Sequence, residues 1–507
     1  MKDSAITATR RLFLKQASAF ASLGAGAPLA MSLTAASNAA AATATDYKAL
    51  VCIFLHGGND AFNTVLATDE PSWAAYTAVR NQQPDSIALL RNVAADASKP
   101  VGSPAYLGGV LPIVPATAQT GRSFAFHPKL SDAQYLFSTG KRLAVVANVG
   151  PLIEPLSKAD YLGSSKLKPK KLFSHNDQQS TWLAMAPEGA TVGWGGRLAD
   201  ALAAGNNNSM FTAISPGLGS VWMSGQHVRP YQVSETGPIR LGTEPDAQGV
   251  SRVYGSEVIG AALERIVRSS RTTHVMANDL ANINTRSMQA ERMLTGVLPS
   301  VSSGPFGNST SLQYTNVSGG KGTNPLAIQL QTVARIIAAQ GALGIKRQVF
   351  FVSLGAFDTH NTQNKNHADL LAKLNHALSY FDTTLSALGM GNKVTTFTAS
   401  DFGRSFTSNG DGTDHGWGGH HMVMGGAVQG GDIYGDFPTL AHKNTNDNYF
   451  DASPDQLLNG VLLPRISVDQ FGATLGRWFG LNDGQLADVF PNLARFGSNA
   501  NLGFMKT

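Results

Sequence analysis

The chain has 507 residues, 43% hydrophobic and 14% charged, a balance that suits a globular protein and excludes a disordered one. Its net charge of +5 is partly an N-terminal effect: Lys2, Arg10, Arg11 and Lys15 face only Asp3 in the first 41 residues, so the remainder is close to neutral and gives poor grounds for a nucleic-acid partner. The single cysteine, Cys52, excludes intrachain disulfides, cysteine-based zinc sites and iron–sulfur clusters.

Residues 1–45 read as an address. Thr9-Arg10-Arg11-Leu12-Phe13-Leu14-Lys15 has the form of a twin-arginine signal core, followed by an Ala-, Ser- and Gly-rich stretch from Ala17 to Thr34. Pro28 and the small residues around Ala39 to Ala44 favour a cleaved signal over a membrane anchor. The expectation is export by the twin-arginine machinery to the periplasm or beyond. No later run of 18 apolar residues occurs, so no stable membrane anchor is expected. Residues 46–507 are expected to form a single α/β domain.

Ala49 to Leu55, ALVCIFL, is a continuous apolar run, as expected of a strand buried on both faces. It breaks at His56-Gly57-Gly58-Asn59-Asp60, a polar turn at the carboxyl end of a strand, where open α/β sheets place their ligands. Asp60 suits either a metal ligand or a helix N-cap. A helix over Leu130 to Ser138 and a second buried strand over Arg142 to Val149 follow. His127 reads as structural. Ser174 stands at the start of a helix running through Gln178 to Met185, a position that suits a capping side chain and equally a nucleophilic hydroxyl. From about 205 to 323 the chain is rich in Asn, Ser, Gly and Thr around a helical region near 255–295, which predicts an insertion or cap over the sheet.

An amphipathic helix from Pro325 to Ala342 precedes a third strand, Gln348 to Leu354, which ends in Gly355-Ala356-Phe357-Asp358-Thr359-His360. Asp358 and His360 lie two apart in extended chain and share a face, within reach of one ion. A helix from about Asn366 to Leu388 and a strand over Lys393 to Thr398 lead to the stretch Asp401 to Pro438. There Asp401, Arg404, Asp414, His415, His420 and His421 are gathered among glycines. Glycines let backbone approach an ion, and carboxylates beside imidazoles are what a divalent cation selects. Helices over Val468 to Phe479 and Asp483 to Phe490 close the chain. Three strand-then-turn units predict one site at the carboxyl edge of a mainly parallel sheet with helices on both faces.

LVCIFLHGGNDAFNTV, SHNDQQ, GAFDTH and the block from DFGR through TDHGWGGHH to GGDIYGDFP resemble the secreted domain-of-unknown-function 1501 family over nearly the whole mature chain. That family is grouped with the alkaline phosphatase and sulfatase superfamily, and the resemblance implies an alkaline phosphatase-like scaffold with one or two divalent cations. It implies metal ligands among Asp60, Asp358, His360, Asp401, Asp414, His415 and His420, with Ser174 as nucleophile. Departures are visible: Asp358-x-His360 replaces the usual Asp-x-x-x-His, and Phe402 stands where a second-metal histidine is expected. No Cys-x-Pro-x-Arg element occurs, which argues against a formylglycine sulfatase.

The expected activity is metal-dependent hydrolysis of a phosphate or sulfate ester, on a small or polymeric anionic substrate. A zinc or manganese ion would lower the pKa of a bound hydroxyl, and Arg404 would clamp the anion. The alternative is a non-catalytic exported envelope protein on the same scaffold, binding a polyanion, glycan or protein partner; Phe402 and the irregular spacings favour it. A redox role lacks any flavin, haem or cluster motif.

Overall fold

The computed structural model describes residues 46–240, 252–269 and 274–506; the stretch read as a twin-arginine signal lies outside them. Nine strands form the central sheet: β1 (Lys48–Leu55), β2 (Leu143–Gly150), β3 (Ala213–Pro216), β4 (Tyr231–Val233), β5 (Arg347–Leu354), β6 (Val394–Ser400), β7 (Gly419–Met424), β8 (Ile433–Tyr434) and β9 (Ile466–Ser467). Their order is β8-β2-β7-β6-β1-β5-β3-β4, with β9 also paired to β2.

The apolar runs become strands because both faces of the sheet are covered. Along β1, Val51, Ile53 and Leu55 enter one core, while Leu50, Cys52 and Phe54 enter the other. The first core is closed by the helices Ser131–Ser138, Pro325–Ala338 and Gln363–Ala387, through residues such as Phe137, Leu330 and Phe381. The second is closed by His175–Ala184, Trp194–Leu202 and Val468–Phe479, with Trp182, Trp194 and Phe471 fully buried. This is an α/β architecture of three layers. Cys52 is a buried free thiol within it.

Strands β6, β1, β5 and β3 run parallel, and the register pairs Leu55 with both Leu354 and Ser400, so three strands end at the same level. The sheet is mainly parallel, as expected, but mixed, because β7 is antiparallel to both neighbours, β6 and β2. The reason lies in the stretch after Asp401. Instead of staying a loop at the sheet edge, it forms a hairpin, Arg404–Ser408 with Thr413–His415, and then re-enters the sheet as β7. Within 205–323, two short segments extend the sheet as β3 and β4, and Glu257–Arg268 and Val275–Val297 are helical. Among the described residues, no helix is long and apolar enough to cross a membrane.

Candidate metal centre

The turns after β1, β5 and β6 meet at one edge of the sheet. Ser400, the last residue of β6, fixes their spacing: its hydroxyl donates to the Leu55 carbonyl at 2.6 Å and accepts the Asn59 N–H at 2.9 Å. Asp401 follows, buried, and its Oδ2 accepts the Gly57 N–H at 3.2 Å. Only glycine fits at position 57, where φ is +112° and a Cβ would lie 2.4 Å from the Asp358 backbone nitrogen. That close approach brings Asp358 beside Asp401.

Two imidazoles complete the cluster. His175, the first residue of its helix, donates from Nδ1 to Asp401 Oδ2 at 2.7 Å, which leaves Nε2 unprotonated at 3.4 Å from Asp358 Oδ2 in the neutral ring. His415, at the end of the hairpin, donates from Nδ1 to the Phe173 carbonyl at 2.8 Å, and its Nε2 lies 3.5 Å from Asp358 Oδ1. One ligand atom each from His175, Asp358 and His415 lie within 4.8 Å of one another. In a tetrahedral site with bonds near 2.0–2.1 Å, ligand atoms sit about 3.3 Å apart, close to the 3.4 Å and 3.5 Å between the two imidazoles and the Asp358 oxygens. Hydrogen bonds on the far ring nitrogens are what hold metal-binding histidines in place. The cluster is thus capable of coordinating a metal ion. His360 stands at its rim, with Nε2 3.2 Å from His415 Nε2 and 3.1 Å from Asp358 Oδ1, and Nδ1 3.3 Å from Asp414 Oδ1.

Electrostatics prepare these groups for a cation. Burial pushes the Asp358 carboxyl up, but the hydrogen bond and charge of Arg404 prevail and hold it below the usual range. Burial holds the His415 imidazole below its ordinary value, with Arg404 and His175 acting in the same direction and only the Phe173 carbonyl and Asp358 opposing. The hydrogen bond to Asp401 raises His175 against the effect of burial.

Several expected site residues have other work. Asp60 is fully buried and paired with Arg80 at 2.6 Å and 3.0 Å; it also accepts from Gln363 Nε2 at 2.6 Å and caps the Phe62 N–H at 3.1 Å. Of its two readings, the structure gives the N-cap. Its carboxylate oxygens are spent, so it is not a ligand. Arg404 is not a substrate clamp: it is buried, donating to Asp358, to both oxygens of Thr413 and to the Gly57 carbonyl. Ser174 donates to Asp177 Oδ2 at 3.0 Å and makes no cap bond to its helix, so its hydroxyl faces a carboxylate of its own first turn instead of a base at the cluster. His420 lies on β7, stacked on Phe437, with Nδ1 accepting the Asn148 N–H at 3.1 Å and burial lowering its pKa to about 3. Asp401 supports His175 from behind, and Asp414 stands behind His360. His175 went unrecognised in the sequence although it adjoins Ser174; its signal was a histidine within the SHNDQQ segment at a helix start.

Two clefts lie beside the cluster. One, of about 220 Å³, is lined by His56, Asn176 and Gln179, the last two on the helix that His175 opens. The other, of about 440 Å³, has Asp414 in its wall together with Ser408 and Lys443.

Among solved structures, the chain is similar to Ps i-CgsB in complex with k-i-k-neocarrahexaose, at 10% identity and TM-score 0.32, over 90% of this chain and 77% of that one. It is also similar to a protein described under metabolism of multiple glycosaminoglycans by Bacteroides thetaiotaomicron, at 9% identity and TM-score 0.33, over 88% and 74%. No curated protein matches. The groups assigned to ester hydrolysis are committed elsewhere: Ser174 to Asp177, Arg404 to Asp358 and Asp60 to Arg80. The expectation of a phosphate- or sulfate-ester hydrolase is therefore corrected in favour of its alternative. A family model described as protein of unknown function, DUF1501, matches residues 47–490, and the chain belongs to that family.

Proposed function

We propose that the chain is an exported binding protein for a polymeric anionic ligand, a glycan bearing carboxylate or sulfate groups, which it holds without cleaving. The observation that carries this reading is the convergence of His175, Asp358 and His415, with each imidazole fixed from behind by Asp401 or the Phe173 carbonyl. Zinc or manganese suits a mixed imidazole and carboxylate set; three protein ligands leave a position for an anionic oxygen of the ligand. Asp401 and the Phe173 carbonyl keep both ring tautomers correct, and Arg404 keeps Asp358 ionised.

Retention over reaction is favoured by the commitments of Ser174 and Arg404 to Asp177 and Asp358. The flanking clefts favour an extended ligand over a small one. The Arg10-Arg11 motif supports export to the periplasm or beyond by the twin-arginine route. We read 46–507 as one domain on an alkaline phosphatase-like scaffold, with about 205–323 as its insertion.

Metal analysis of the purified full-length protein, with calorimetry against a uronic-acid octasaccharide and a sulfated octasaccharide, tests the reading. Equimolar zinc or manganese is expected, with binding of one of the two glycans lost on chelation. Binding that survives chelation removes the metal from the account. Release of shortened sugar or free sulfate from the bound glycan removes the claim that it is held intact.

A further inference from the structure

The larger cleft carries recognition groups that the metal centre does not use. It opens from the rim of that centre, because Asp414 forms part of its wall while Asp414 Oδ1 lies 3.3 Å from His360 Nδ1. The lining also includes His442 and Lys443, both exposed. Neither side chain has a hydrogen-bond or ion-pair partner among the described residues. Other cations of this region are spent: Arg80 on Asp60, and Lys158 on the Phe450 and Ser453 carbonyls.

The wall is built, not a loose surface. The Thr407 hydroxyl donates to the Asn459 carbonyl at 3.2 Å, and the Asn459 N–H donates to the Asn448 carbonyl at 2.9 Å, which ties the hairpin to the far side of the cleft. The side-chain amides of Asn448 and Asn459 are left without partners among the described residues, and both line the cleft. The carboxylate of the lining is itself engaged: Asp414 accepts from Asn409 Nδ2 at 2.8 Å. A cleft with an unspent ammonium, an imidazole and two free amides suits an anionic group on a hydroxylated ring.

We propose that this cleft is a second anion subsite, in which Lys443 and His442 receive a carboxylate or sulfate group of a glycan whose neighbouring unit occupies the metal centre. The proposal rests on the glycan reading above and deepens it: the ligand is a chain with repeated anionic groups, and its affinity depends on length. Occupying two linked subsites raises affinity without any new contact at the first.

Calorimetry on the metal-loaded full chain compares di- and octagalacturonate, and a sulfated disaccharide with its octasaccharide, for the wild type and the Lys443→Ala/His442→Ala variant. For the series that binds, the octasaccharide is expected to bind on the order of tenfold tighter than the disaccharide. The variant is expected to lose that gain while the disaccharide Kd stays unchanged; the substituted side chains are exposed, and circular dichroism checks the fold. Equal weakening of both lengths, or no change in either, overturns the subsite. Length-dependent binding that persists after chelation in the wild type and is lost in the variant supports this subsite and removes the metal reading. No binding of any of the four probes overturns both.

Discussion

Two aspartate–arginine pairs stand on the same edge of the sheet and serve opposite ends. Asp60 and Arg80 are both fully buried, and the aspartate's remaining capacity goes to Gln363 and the Phe62 N–H. In the other pair Arg404 is buried, but the Asp358 side chain is 39% exposed and faces His175, His360 and His415. The first pair is closed on both sides; the second is closed behind and open in front. A carboxylate beside an arginine is therefore no guide to its role. What decides is where its second oxygen points.

The sharpest test of that contrast is a pair of isosteric changes. Asp358→Asn is expected to abolish equimolar metal uptake, read by metal analysis, at a stability cost of only about 1.5–3 kcal/mol, because Arg404 keeps the Thr413 and Gly57 oxygens. Asp60→Asn is expected to do the reverse. It leaves Arg80 buried without an anion, costing about 3–5 kcal/mol in urea unfolding, while the folded protein still takes up its ion. If both variants lose metal and stability together, the two pairs are one network and the contrast is false.

A smaller effect lies behind His175. Asp401→Asn removes the carboxylate that orients the ring, and metal affinity is expected to fall by about 10–100-fold. The pH dependence gives the smallest signal. His175 is raised above the ordinary imidazole value, so in the metal-free protein it contributes stability that is fully present below that value and lost as pH rises through its folded pKa. The ion needs the neutral ring, so metal affinity moves the other way and falls on acidification through the same range. In Asp401→Asn the midpoint of that fall is expected at lower pH, read by competition with a chromophoric chelator. A midpoint that does not move would mean that Asp401 does not govern His175.

The strands and their polar ends were legible because a run buried on both faces needs no partner to be recognised: ALVCIFL and QVFFVSL are visible in isolation. Asp358 and His415 were legible as chemistry-bearing residues beside glycines. His175 was not, because its role depends on Asp401, 226 residues away in the chain. Asp60 was ambiguous for a similar reason: Arg80 lies on the next helix, with nothing in the spacing to announce the pair. His420 misled because GWGGHHMVM looks like a glycine-rich loop until β7 is seen wedged between β2 and β6. Glycine there lets strands approach, not an ion: a Cβ at Gly418 would lie 2.1 Å from Asn148 Oδ1.

His175 opens its helix, so the amino end of His175–Ala184 faces the cluster. The partial positive charge of a helix start repels a cation and welcomes an anion. Asp358 and Asp401 offset that repulsion, and a negatively charged guest offsets it further. If the cluster holds a cation and an anionic guest, each reinforces the other, and protein purified in anion-poor buffer is then expected to release its cation more readily than protein kept with an acidic sugar.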